Sequence, residues 1–572
     1  MMNKELLKLL FSFINKKKFF LGLCLSFIGT LLGLMLPQFI GKLLDESFLK
    51  SIVSEKDTLF NLVGFFIFVY TLQAVASYLI GTCGSQAMNK LQKQVYSNLL
   101  FSSIKDLDYF KSGDLSSRLT NDMSVVLNFV TVVLPNFILN LVTIIGSIIL
   151  LFQISPSMTS MSLLVIPLLA GIIIPINRKL EDYYAGYQGN ISDISSKISH
   201  KFLHIRLIKA FKGERDEKSN IGSSFDKLSL NYNKIIKFSA IQSTLVNSSM
   251  MAFIIMLLVV AGISVSKGEM TIATLTTFVL YITQLIDPVT DISDSMTELT
   301  EFSSVSNRLM EILNLEKEDN RNADLNLADT SISLNNLHFA YENEDVLNGL
   351  TVDIPSGKHI AVVGPSGAGK STVFSLLMKF YQNYRGSISV GQRDLMDITP
   401  KQMRTLISYI PQDNTLFHGS IRDNLFYGKN QDVSEERLSF VLETLGLSKL
   451  VNDLDDGLDT MISDSGTGLS EGQKQRFNIA RALLVEHPIY LLDEVTASLD
   501  SVTERIVSKA IDKLTAGKTR LTIAHRLHTV READAILVLN KNGTVADYGT
   551  HQQLLKRNNL YQDFLSGLQK AS

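Results

Sequence analysis

Charge is missing over much of the first half of this chain: no Asp, Glu, Lys or Arg occurs between Asp122 and Arg178, or between Lys237 and Lys267. Charged residues make up only 19% of 572 positions, and mean hydropathy is +0.18. A soluble multidomain enzyme seldom reaches those values. The deficit is also local, because the sequence after about Ile332 has ordinary globular composition, so the N-terminal half is expected in a membrane. Cysteine is scarce as well. Cys24 and Cys83 both lie in or beside apolar runs, which makes them packing thiols rather than a disulfide or metal pair. A formal net charge of −2 gives no electrostatic case for nucleic acid, so partners have to be argued from local sites.

The apolar half holds runs long enough for the roughly 30 Å hydrocarbon core of a bilayer. Lys4, Lys8 and Lys16 to Lys18 precede a run from Phe19 to about Ile40. It is too long for the apolar part of a signal peptide, no small-residue cleavage site follows, and further runs come after it, so it reads as a first span. A second runs from about Leu59 to Ile80. The tract Met123–Asn177 holds two more, divided near Ser155-Pro156-Ser157, and the last pair takes about Ile241 to Val265 and Thr271 into the 290s. Between the first two spans Lys42, Lys50 and Lys56 mix with Asp45, Glu46, Glu55 and Asp57, whereas Arg178 to Lys237 is studded with Lys and Arg. That bias places the latter side and both termini in the cytoplasm of a multi-pass cell-membrane protein. Cys83 to about Asp108 and Arg178 to about Ile205 carry helical pattern. They are expected as rods running roughly 40 Å beyond the bilayer at 1.5 Å per residue, with turn signals at Gly113 and Gly213.

Along the last span Asp287, Asp291, Asp294, Glu298 and Glu301 recur at spacings of four, three, four and three, within an arc of about 80°. Counted from Thr271, Asp287 lies about 24 Å and Asp291 about 30 Å along the helix, at the inner edge of the hydrocarbon core. A carboxylate facing lipid is costly, so this deeper pair should face a cavity or a cation, with Pro288 able to kink the helix between them. The competing reading is an acidic face on a solvated helical extension.

Residues 311–330 are polar, acidic and without apolar periodicity, a linker between residues 1–310 and residues 331–572. In the second part, Gly364-Pro365-Ser366-Gly367-Ala368-Gly369-Lys370-Ser371-Thr372 lies between a short buried strand, His359–Val363, and a helix from Thr372 to Phe380. Glycines in such a loop turn backbone N–H groups toward phosphate oxygens. The helix N-terminus adds positive dipole, Lys370 reaches the β/γ-phosphates, and Ser371 can ligate Mg²⁺. Asp493 ends the apolar run Ile489-Tyr490-Leu491-Leu492 and can hold a Mg²⁺-bound water, while Glu494 is placed to orient or deprotonate a water attacking the γ-phosphate. Four apolar residues leading straight into Asp493-Glu494 argue against solvated surface carboxylates. For His200, His204 and His487 the bland reading, surface or packing residues, is preferred. The strand–helix alternation predicts an α/β core with a parallel sheet.

Phe339-Ala340-Tyr341, Tyr409-Ile410-Pro411-Gln412, Leu469-Ser470-Glu471-Gly472-Gln473, Ser498-Leu499-Asp500 and His525 fall in order around these motifs. With them the sequence resembles, over essentially its whole length, the ATP-binding cassette exporters, specifically half-transporters with one six-helix membrane domain ahead of one nucleotide-binding domain. The resemblance implies an N-terminal all-α transmembrane domain with long cytoplasmic helical arms and a C-terminal α/β P-loop ATPase domain with a helical subdomain. It implies ATP and Mg²⁺, an adenine stacked on Tyr341, a glutamine loop at Gln412, a D-loop at Asp500 and a switch histidine at His525. Ser470, Gly472 and Gln473 would meet ATP held on the P-loop of a second subunit, either a second copy or a related half-transporter. Alternating access would then move a small molecule, drug, peptide or lipid, with cationic cargo suggested by the acidic helix face. A short basic start leaves no room for the peptidase domain of some peptide-exporting relatives. Glu471 departs from the glycine usual at its position, and Asp464 is a shorter acid than the family's residue before the signature. A lipid flippase, a siderophore importer on the same fold, and an ATP-gated channel or regulatory subunit are the alternatives, although Glu494 and His525 argue for sustained hydrolysis.

Overall fold

The structure, a computed structural model, describes residues 4–43, 56–163, 165–268, 270–319, 325, 327–342, 344–428, 433–462, 468–496, 499–524 and 526–571. His525, Ser498, Asp464 and the charged residues Asp45, Glu46, Lys50 and Glu55 lie outside them. The chain divides into two compact units, residues 1–95 with 116–311, and residues 96–115 with 312–572.

The first unit is helical. Among the described residues five helices are long and apolar enough to cross a membrane: Lys16–Lys42, Val63–Phe101, Gly113–Ile154, Glu214–Ser266 and Ile272–Leu313. The remaining expected span falls on helices Pro156–Leu163 and Val165–Leu203, which flank the undescribed Leu164. Two of the spans are interrupted, and proline accounts for both. Pro37 has no N–H for the carbonyl one turn earlier, and the first span splits into Lys16–Gly33 and Leu36–Lys42. Pro288 acts likewise on Gln284, so the last span divides into Ile272–Gln284 and Ile286–Leu313; the break lies at Leu285, a turn ahead of the expected kink. The two interrupted spans are joined to each other. Tyr281 Oη donates to the Leu34 carbonyl at 2.6 Å, and Gly41 lies so near Thr277 that a Cβ there would come within 1.8 Å of Thr277 Oγ1.

Helix Ser112–Ile154 contains two wide turns, Arg118–Asp122 and Phe129–Val133, each holding one extra residue per turn. Both carry side chains that meet helix Ile286–Leu313. Asp122 accepts two bonds from Arg308 at 2.9 and 2.7 Å, Arg118 donates to Glu311 at 2.7 Å and to the Arg308 carbonyl at 2.9 Å, and Phe129 stacks on Phe302 at 3.9 Å. Gly113 sits inside a short helix, Ser112–Ser117, and not in a turn.

In the second unit the helix Lys56–Phe101 reaches its end, seven residues short of the rod expected to Asp108. The reason is a non-local pairing: Ser102 bridges Lys317, the Glu318 N–H donates to the Phe101 carbonyl at 2.8 Å, and Ser103 then caps a separate short helix, Ile104–Leu107. The polar stretch after Leu313 is thereby tied down at Glu318, whose carboxylate takes two bonds from Arg404 at 2.7 and 2.8 Å.

Among the described residues twelve strands follow: β1 (Ile332–Tyr341), β2 (Glu344–Ile354), β3 (His359–Val363), β4 (Arg385–Val390), β5 (Arg393–Asp394), β6 (Ile407–Ile410), β7 (Gly419–Ser420), β8 (Met461–Ile462), β9 (Ile489–Asp493), β10 (Thr519–Ile523), β11 (Ala535–Leu539) and β12 (Val545–Gly549). One sheet runs β2-β1-β4-β5 with antiparallel pairs, β7 and β8 form a two-stranded ribbon, and the central sheet runs β12-β11-β3-β10-β9-β6. Within the central sheet β11, β3, β10, β9 and β6 are parallel, and β12 closes one edge antiparallel. β9 and β10 are buried at every residue, as continuous apolar strands covered on both faces should be. Helix Lys370–Leu377 packs through Val373, Phe374 and Leu377 onto the core that includes Ile360, Val362, Leu521 and Ile523.

Candidate nucleotide site

A parallel sheet sends every strand's carboxyl end to the same edge, where its loops can converge on one ligand. The loop after β3 is Gly364 to Gly369, Gln412 follows β6, Asp493 ends β9 with Glu494 next to it, and Ala524 follows β10. Segments spread over more than a hundred residues therefore meet.

The loop after β3 needs glycine for stated reasons. Gly367 and Gly369 have φ of +78° and +84°, and a Cβ on Gly369 would lie 2.6 Å from Leu347 Cδ2, while one on Gly364 would lie 2.7 Å from the Leu539 carbonyl oxygen. Lys370 opens the helix and is buried, its Nζ donating to the carbonyls of Gly364 and Pro365 at 2.9 and 3.0 Å. Burial pushes its ammonium below the ordinary lysine value, and the negative charges of Glu494 and Asp493 pull it back. Ala368 is buried and Thr372 packs inside the helix, while Ser366 and Ser371 stand at the loop surface or the first turn.

Asp493 is 4% exposed at the end of β9. Glu494 takes φ +50°, an uncommon conformation for a side-chain-bearing residue, with its N–H donating to the Ile523 carbonyl at 3.3 Å. Gln412 Nε2 donates to Glu494 Oε2 at 3.0 Å, joining the loop after β6 to the loop after β9. Tyr409, three residues before Gln412, has its hydroxyl pushed up to about 12, by burial first and then by Asp493. Among the described residues no group of three or more His, Cys, Asp or Glu forms a metal cluster. One carboxylate, one hydroxyl and one amide, from Asp493, Ser371 and Gln412, are hard oxygen donors too few to cage a cation alone, which suits a Mg²⁺ that keeps waters and phosphate oxygens as its other ligands.

Tyr341 ends β1 with its ring edge-to-face against Phe339 at 4.8 Å and Tyr381 at 5.1 Å, and the Tyr381 hydroxyl donates to Asp108. Ser470 is the N-cap of helix Glu471–Leu483: its hydroxyl accepts from the Gln473 N–H, and Gln473 Oε1 accepts from the Ser470 N–H at 2.7 Å. Ser470 and Gln473 thus cap the helix reciprocally. Gly472 lies where a Cβ would come 3.3 Å from Leu499 Cδ2. Glu471, the departure in the signature, points to Lys474 at 2.8 Å on the next turn, which absorbs its charge. Asp500 caps helix Ser501–Leu514, and hydrogen bonds from Thr503 and Val502 hold its carboxyl below the usual range.

Sequence reasoning missed Glu504. It is 7% exposed in the first turn of the helix capped by Asp500, and one of its oxygens lies 3.7 Å from Arg526 Nε and 3.6 Å from His528 Nδ1. The spacing from Asp500 is an ordinary helix turn, and nothing local marks a carboxylate there as buried.

Residues 19–289 match the ABC transporter transmembrane region family and residues 347–497 the ABC transporter family. A multidrug resistance ABC transporter ATP-binding and permease protein of Lactococcus lactis subsp. cremoris is 32% identical over 96% of this chain and 92% of its own. An ATP-dependent lipid A-core flippase of Francisella tularensis is 28% identical over 86% of this chain and 82% of its own. The solved structure of a bacterial Atm1-family ABC exporter with ATP bound has the same fold, at TM-score 0.78 and 22% identity, over 97% of this chain and 98% of that one. Strand ends that gather a phosphate loop and paired carboxylates, carried behind a bundle of apolar helices, thus have their counterpart along the whole length: the chain belongs to the ATP-binding cassette exporters, multi-pass membrane proteins whose ATPase domain binds ATP and is coupled to transport.

Proposed function

We propose that this exporter moves an amphipathic drug-like, peptide or lipid cargo out of the cytoplasm as a homodimer in the cell membrane, its ATPase domains and both termini inside. The contact that carries the reading is Gln412 with Glu494 beside the buried Asp493, an arrangement suited to turnover and not merely to nucleotide-gated opening. Lys370, Gly364, Pro365, Ser366, Gly367, Ala368, Gly369 and Thr372 bind the phosphates, and Tyr341 stacks on adenine. Mg²⁺ arriving with ATP would be held by Ser371, Asp493 and Gln412 and would neutralise phosphate charge. Glu494 takes the proton of the attacking water or orients it, and His525 and Lys370 stabilise charge on the γ-phosphate. Ser470, Gly472, Gln473 and Asp500 act on the site of the other subunit. The exposed apolar tip of the second arm supports that assembly, since Phe202, Leu203, Leu207 and Phe211 are 68%, 78%, 58% and 79% exposed in a single chain. Multidrug identity in one relative favours drug-like cargo; the flippase relative favours a lipid.

Co-expression of Lys370→Ala and Ser470→Arg chains tests the dimeric site. Each mixed dimer then has one site with both defects and one with neither. A photoreactive ATP should label the Ser470→Arg subunit, whose P-loop is intact and faces a wild-type signature. Absence of label in purified mixed dimers would mean that each chain builds its own site. Uptake of a cationic dye against flip of a fluorescent phospholipid, in vesicles holding the wild-type protein, separates the two cargo classes.

A further inference from the structure

A buried carboxylate is retained only where cations or hydrogen bonds offset its lost hydration. Glu504 has both its neighbours of that kind, Arg526 and His528, on the single segment that leaves β10, while its own backbone belongs to the helix that Asp500 starts; the Glu504 N–H donates to the Asp500 carbonyl at 2.8 Å. Arg526 is bonded to His525 through the chain. One oxygen, Glu504 Oε1, makes no hydrogen bond, and at 3.6–3.7 Å its two partners are held by charge alone, without fixed directional geometry. The two elements are also not packed solid against each other. A partly open cavity of about 50 Å³, room for a few waters, lies between them, lined by Glu494 and Thr496, by Ser508 and Asp512 of the first helix, and by Arg526 and Thr529 of the second segment. Across that water-sized space the carboxylate is one charged link from the helix to the segment.

We propose that Glu504 is a positioning residue of the ATPase cycle: it ties the segment carrying Arg526 and His528 to the helix begun by Asp500, so that movement of the D-loop at the dimer interface also places the histidine before Arg526. The inference rests on the reading of His525 as the γ-phosphate partner, and the two can fail separately. Glu504 touches neither nucleotide nor attacking water; it acts through the loop.

The test uses the full chain in lipid nanodiscs, with a fluorescent ATP analogue for binding and phosphate release for turnover. Glu504→Gln keeps the shape and removes the charge. Turnover should fall roughly tenfold or more, with analogue affinity and melting temperature unchanged. In a His525→Ala background the same substitution should add nothing further, because the group it positions is gone. Unchanged turnover in Glu504→Gln while His525→Ala is slow overturns the inference and leaves the His525 reading intact. Unchanged turnover in His525→Ala overturns that reading, and the inference with it. Equal losses of affinity, melting temperature and turnover would make Glu504 a purely structural residue and overturn the proposal. If Glu504→Gln fails to fold, Arg526→Gln, at a partly exposed partner, must show the same split between turnover and affinity, and no split overturns it.

Discussion

The two units of the chain hold their important residues in opposite ways. In the ATPase unit the candidate groups come as short contiguous motifs, because a parallel sheet delivers each strand end to one edge and a few residues after each strand suffice. In the membrane unit the contacts that join helices are single pairs far apart in sequence: Tyr281 with Leu34, Asn140 with Asp291, Arg118 with Glu311, Asp122 with Arg308. A helix offers one residue per turn to a given neighbour, so such a pair has no local signature. Candidate chemistry is therefore concentrated where topology gathers backbone, and the contacts of the membrane unit are dispersed over side chains that only the bundle brings together.

The sharpest test of concentration is at Glu494. Glu494→Gln retains an oxygen for the Gln412 amide and so keeps the two loops joined, but cannot accept a proton. Hydrolysis should fall by roughly 10²-fold or more with MgATP binding preserved, and ATP should hold the dimer closed. Turnover like the wild type's would take Glu494 out of the chemistry and leave the motif-based account without its centre.

The corresponding test of dispersion is at Asp122. Its carboxylate is buried and takes two bonds from Arg308, which is itself half exposed, so Asp122→Ala leaves a cation that can still reach water. A loss of about 2 kcal/mol is expected, below that for a fully buried orphan. It would be read as a lower melting temperature of the purified chain, and Arg308→Ala added on top should cost little more. A silent Asp122→Ala would mean that the membrane unit is ordered by apolar packing alone.

Legibility followed the same division. Strands His359–Val363 and Ile489–Asp493 lie at the residues their apolar runs predict, because a fully buried strand flanked by a glycine loop or an acidic pair has few alternatives. Glu504 was not legible, since its burial depends on Arg526 and His528 more than twenty residues later. Nor was the end of helix Lys56–Phe101: the pairing of Ser102 with Lys317 crosses two hundred residues and overrides a helical pattern that continues to Asp108. The wide turn at Arg118–Asp122 has no glycine or proline to announce it, whereas the one at Phe129–Val133 is followed by Pro135, which has no N–H for the Thr131 carbonyl.

Acid should separate the units as well. Burial first, then Arg520, lowers the His359 pKa from 6.5 to about 3 in the folded protein, with Nε2 near Thr522 and Nδ1 near Arg520. Between those values the unfolded chain binds a proton that the folded one does not, so this histidine makes stability fall as pH drops from 6.5 toward 3. His359→Gln should flatten that part of the dependence for the ATPase transition. An unchanged slope in the variant would show that His359 is already protonated in the fold.

The smallest expected effect lies on the acidic face of the last span, and there the comparison meets function. The break at Leu285 leaves Asp287, Asp291, Asp294, Glu298 and Glu301 together on helix Ile286–Leu313. Asp291 accepts from Asn140 at 3.1 Å, and Glu298 and Glu301 line a cavity with Ser124, Asn128 and Phe129, so much of this face looks across the bundle and not away from it. Asp287 and Asp291 are exposed in the single chain. If they favour cationic or amphipathic cargo, Asp287→Asn/Asp291→Asn should weaken ATPase stimulation by a cationic ligand while sparing its neutral analogue. For carboxylates bordering a water-filled path the effect is about 1 kcal/mol or less, up to roughly fivefold. It should shrink further with added salt, because exposed charges are screened. Equal responses to both ligands at unchanged basal turnover would assign these acids to a solvated helix face, and cargo choice would then rest on the apolar surface of the bundle.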